Sequence, residues 1–223
     1  MNQRVVPLGF IVAALVFGIG GQMHPIGTGA EVDEHLISMF TDSRWNASHL
    51  LQMVGLLLAA ATYLLARRTG VFGASVSKWL VIAAAGTAFA GIELIPHLAA
   101  ASEADALANH AHTPILDIHM ALQVIASPAL GLTTAALAVA VARHARTIAA
   151  WILAAIAVVT GIASAIAGPL VVFSQNVDYS FLFAFQSGIA VWLLGTGIRL
   201  AVGDGTRSSA ERVDEGRVAV SSS

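Results

Sequence analysis

Six stretches of this chain are almost wholly apolar and about as long as a bilayer is thick: residues 5–21, 48–66, 78–98, 114–141, 148–173 and 181–200. A helix needs about 20 such residues to cross the hydrocarbon core. The pattern predicts an all-α fold, a polytopic membrane helix bundle with six transmembrane helices. Composition agrees, with 57% hydrophobic residues, 11% charged residues and a mean hydropathy of +0.79. Soluble domains carry about 25% charged residues, so the solvent for this surface is lipid. The fourth and fifth stretches are long for one crossing, which predicts tilting or kinking, with Pro128 and Pro169 placed to supply the kinks.

Basic residues orient the bundle. Arg4, Arg67, Arg68, Lys78, Arg143, Arg146, Arg199, Arg207, Arg212 and Arg217 all fall on one side if six spans alternate, and Arg44 alone falls on the other. The positive-inside rule makes the first side cytoplasmic, with both termini inside. An odd number of spans would destroy the separation. The first span also has features of a secretory signal peptide, with Arg4 ahead of an apolar stretch and small residues at 18–21, although the cleavage site is poor. Its removal would leave the other five spans oriented as before.

The loops differ in kind. In the outer loop 22–47, Val32, Leu36, Met39 and Phe40 recur at helical spacing against Glu31, Asp33 and Glu34. This predicts a short amphipathic helix lying on the membrane or capping the bundle. Trp45 is placed as an interface anchor, with Asn46 or Ser48 as cap of the second span. Thr113 and Pro114 form a start signal for the fourth span. Residues 201–223 read as a disordered cytoplasmic tail. Gly86 with Ala90, and Gly161 with Ala165, read as close-packing pairs between helices.

The chain has no cysteine, which removes disulfides, thiolate metal sites and covalently attached c-type haem. A net charge of −2 argues against nucleic acid as a partner. Histidine distribution is more telling. His24, His35, His49, His97, His110, His112 and His119 fall on the outer side, opposite the basic residues, and only His144 falls with them. Glu93 and His97 share a face of span three. Span four carries Asp117, His119 and Gln123, with His112 two turns ahead of His119, and span two opens with His49 followed by Gln52 and Met53. An ionisable side chain in a span costs roughly 2.5–3.5 kcal/mol, so each position needs a reason.

If spans two, three and four pack together, His49, His97 and His119 converge with Glu93 beneath them. Imidazole plus carboxylate suits Zn, Fe or Cu, and paired histidines alternatively grip a b-type haem. Gln52, Asp117 and Gln123 are candidates to orient the rings. Glu93 is also a candidate catalytic base. The structural alternative is that His49 and His97 reach water at helix ends and that Glu93 and His97 satisfy each other. The loop residues His24, His35, His110 and His112 read as solvated, with His24 and Pro25 ending span one.

Met23-His24-Pro25, an acidic helix, and then Trp45 four residues before His49 at the opening of a span resemble a group of uncharacterised multi-pass membrane proteins of high-GC, actinobacterial-type bacteria. The resemblance covers about the first 70 residues and implies a bacterial cytoplasmic membrane. Three functions remain open. One is a redox or metal-dependent membrane protein with its site at the outer leaflet. The second is a scaffold or accessory subunit contacting other membrane subunits or a second copy of itself. The third is a small proton-coupled permease, disfavoured by the scarcity of ionisable groups in the inner halves of the spans.

Overall fold

The computed structural model describes residues 4–203, so most of the tail expected to be disordered lies outside the described residues. Every regular element among them is helical. Six helices are long and apolar enough to cross a membrane: α1 (Val5–Met23), α3 (Trp45–Thr69), α4 (Ser77–Ala100), α6 (Pro114–Ala145), α7 (Ile148–Ser174) and α8 (Gln186–Ala201), the last continuing from a 3₁₀ segment at Val177–Phe185. Two short helices, α2 (Val32–Phe40) and α5 (Ala104–Ala108), lie between them.

The six long helices form a closed ring. α1 packs on α3, α3 on α4, α4 on α6, α6 on α7, α7 on α8, and α8 returns to α1. Each presents one stripe inward and another outward. On α1, Phe10, Ala13, Ala14 and Phe17 are buried, while Leu8, Leu15 and Ile19 are exposed. Ile118, Ile125 and Leu132 repeat every seven residues along the outside of α6. A continuous apolar exterior of this kind is a lipid-facing surface. Several hydroxyls within the helices bond back to their own backbone, as Thr62 does to Leu58, Thr133 to Ala129 and Thr160 to Ile156. This leaves them satisfied without water.

Small residues set the closest approaches. A side chain at Gly131 would strike the Gly161 carbonyl, and one at Gly161 would strike Gly131, so α6 and α7 cross backbone to backbone there. Gly86 of α4 meets Ala129 and Thr133 of α6 in the same way. Both small-residue pairs therefore serve packing within one chain. At one end of the ring, an aromatic plug fills the centre. Phe10 lies 5.8 Å from Tyr63 and 6.4 Å from Trp192, with Phe72 packed edge-on at 6.0 Å.

The helix starts follow the local signals only in part. α3 begins at Trp45, neither Asn46 nor Ser48 caps it, and Ser48 Oγ instead donates back to the Trp45 carbonyl at 2.9 Å. α6 does begin at Pro114, but Thr113 makes no side-chain cap bond. The cap comes from across the loop: the Glu103 carboxylate accepts from the backbone N–H groups of Ile115 and Leu116 at 3.2 and 2.9 Å. An anion at a helix N-terminus satisfies orphan donors and complements the helix dipole.

Of the two placements open to the amphipathic helix, α2 takes the second and caps the bundle. Phe40 is buried in a cluster with Trp45, Ala100, Leu107 and Leu116, and Leu36, Ile37 and Met39 pack against it. Trp45 is therefore no interface anchor. It is 1% exposed, roofed by Phe40 at 4.8 Å.

Candidate metal centre

Four helix ends meet beneath α2: the C-terminus of α1, the start of α3, the C-terminus of α4 and the start of α6. Each brings a histidine. His24 is the residue at which α1 stops. Its backbone is extended, with ψ of 129°, as expected of a residue before proline. His49 lies one turn into α3, His97 in the last turn of α4, and His119 in the second turn of α6. The four rings stand in a row. Centroids are 4.8 Å apart for His24 and His49, 4.5 Å for His49 and His97, and 3.9 Å for His97 and His119. Trp45 forms a wall beside the row, 4.0 Å from His49 and 5.0 Å from His97.

Glu93 closes the far end. Its Oε1 lies 2.5 Å from His119 Nδ1, and both side chains are buried. Glu93, His97 and His119 form a compact group in which one ligand-capable atom from each lies within 4.8 Å of the others. Pro96 precedes His97 inside α4 and has no N–H to give the Ile92 carbonyl, so the helical ladder is interrupted at the site.

The proton positions follow from the partners. A carbonyl oxygen only accepts, so a ring nitrogen bonded to one carries the hydrogen. His24 Nδ1 lies 2.7 Å from the Pro25 carbonyl, and His49 Nδ1 lies 2.7 Å from the Trp45 carbonyl. His119 Nδ1 faces the Glu93 carboxylate. Neutral rings held this way carry their lone pairs on Nε2, the arrangement found in metal-ligating histidines. Burial pushes the His24 imidazole below its ordinary pKa, with the Pro25 carbonyl opposing, which favours the neutral ring. His49 Nε2 and His97 Nδ1 are buried without a hydrogen-bond partner. Each orphaned buried polar atom costs about 1–3 kcal/mol, a cost that an ion would offset.

The candidates read from sequence separate here. His97, His119 and Glu93 come together, and His49 stands one ring further along. Asp117 does not join them. It is exposed and 3.5 Å from exposed His112, because two residues along a helix turns a side chain to the far side from His119. His112 is not two turns ahead on the same face either, since α6 begins after it. Gln52 is buried with Nε2 unpartnered, and Gln123 is half-buried. Among the described residues, no hydrogen bond joins Gln52 or Gln123 to a ring.

His24 and Trp45 were missed as members of the site. Their signal was available as depth: His24 leaves span one at the level where His49 enters span two, and neighbouring antiparallel helices place those levels side by side. His35 is half-buried against Gly27, while His110 and His112 are exposed. The chain matches no family model, no curated protein and no solved structure.

Proposed function

We propose that this protein is a multi-pass membrane protein that binds a transition-metal ion at one end of its helix ring through His97 and His119, with Glu93 orienting His119. The observation that carries the reading is the Glu93–His119–His97 group itself: a carboxylate fixing one imidazole by Nδ1, next to a second imidazole whose Nδ1 is buried without a partner. The donor set suits Zn, Cu or Fe. Two imidazole donors leave coordination positions open for water or substrate, and an open position marks catalytic rather than structural sites. When bound, such an ion would supply a Lewis acid or a redox centre. The protein's own residues hold the rings, with Trp45 and α2 excluding water.

Ring contact favours metal-ion ligation over a b-type haem. A porphyrin lies as a sheet between its axial rings, and these rings touch one another at 3.9 and 4.5 Å. The aromatic plug of Phe10, Tyr63 and Trp192 counts against a permease, because it fills the ring's centre with apolar side chains.

The distribution of Lys and Arg supports an orientation with both termini cytoplasmic and the metal centre at the outer leaflet. The resemblance over the first 70 residues supports a bacterial cytoplasmic membrane. The test is elemental analysis of protein purified in mild detergent from cells grown with trace metals. Wild type is expected to carry a transition metal whose content per chain falls in His119→Gln and Glu93→Gln. A correctly folded wild type that neither retains nor takes up Zn, Cu or Fe contradicts the reading and favours a scaffold role.

A further inference from the structure

One ion does not use all the histidines in the row. Nitrogens bound to a common metal lie within about twice the metal–nitrogen bond of one another, roughly 4 Å. Among the described residues, Glu93, His97 and His119 form a group with donor atoms within 4.8 Å of one another, and that group includes neither His49 nor His24. Yet His24 and His49 carry the same preparation as His119. Each has Nδ1 committed to a fixed acceptor, the Pro25 and Trp45 carbonyls, at 2.7 Å. Each therefore presents Nε2 as a lone pair, and that of His49 is buried with no protein partner. Their rings lie 4.8 Å apart, and two imidazoles sharing an ion stand at about this separation. Trp45 walls this pair too, 4.0 Å from His49 and 6.0 Å from His24.

We infer that His24 and His49 hold a second transition-metal ion beside the first, so that the row is a two-ion centre with an outer pair and an inner group. The inference rests on the metal reading of Glu93, His97 and His119. It assigns His24, at the end of α1, as a ligand.

Full-length protein in detergent, stripped with a chelator and refilled with Zn²⁺, provides the count. Wild type is expected to hold about two ions per chain, and His24→Asn and His49→Gln about one each. Titration of the stripped wild type with Co²⁺, followed by visible absorption, should show two filling steps. It needs no variant to fold. Wild type that fills in one step to about one ion overturns the second site, as does a His24→Asn and His49→Gln pair that both still hold two. Wild type that binds no ion overturns the underlying metal reading itself, a result distinct from the single-ion outcome.

Discussion

Glu93 and His119 are joined across two helices in a place water does not reach. Their side chains are 6% and 3% exposed. Removing one member of such a pair leaves the other's charge or proton uncompensated, at a cost of about 3–5 kcal/mol, whereas replacing both by apolar groups costs much less. Thermal unfolding in detergent should therefore show Glu93→Ala and His119→Ala each strongly destabilising, with the double substitution far less so than their sum. Strict additivity would show that the pair is not coupled. Trp45 makes a second test. Truncation to Ala removes a buried wall shared by Phe40, His24, His49 and His97 and should cost about 3–5 kcal/mol. The same substitution at exposed Trp151 should cost much less. These contacts mark where sequence reading stopped. Glu93 and His97 were visible as one helix face, but the partner of Glu93 is His119, 26 residues on, and no local pattern specifies which helix packs opposite.

At the scale of elements, composition and local chemistry were more informative. Apolar length marked six helices, because lipid leaves a run of this kind few other structures to adopt. Details of capping were less legible, since the residue that caps α6 is Glu103, reached through the loop rather than along the helix. Glu103→Gln should lower stability by about 0.5–2 kcal/mol, the usual worth of a helix cap, and should loosen the α5–α6 connection to limited proteolysis. An unchanged digestion pattern would count against the cap. The α6–α7 crossing is less forgiving. Leu at Gly131 must move the Gly161 backbone rather than a flexible side chain, so Gly131→Leu should destabilise by at least 1–3 kcal/mol. Leu at Gly70, whose left-handed φ of 68° opens onto free space, should cost less, through backbone strain alone.

Over the whole molecule, one end of the ring is apolar and aromatic, and the other gathers histidines under a helical cap. The basic residues cluster at the first end, where Arg67 and Arg68 finish α3 and Arg143 finishes α6. A chain without cysteine allows the proposed orientation to be read cleanly. Single cysteines at exposed His112 and at exposed Thr69 should label from opposite sides of the membrane with an impermeant thiol reagent, the first from outside. Labelling of both from one side would contradict six crossings. The most direct test of the metal centre is X-ray absorption at the edge of whichever transition metal co-purifies. A first shell of nitrogen and oxygen is expected at about 2.0–2.2 Å with the multiple-scattering signature of imidazole, and both the metal content and that signature are expected to fall in His97→Gln and His119→Gln. A shell of oxygen alone, or an imidazole signature and a metal content that neither substitution changes, would contradict a metal centre at His97 and His119.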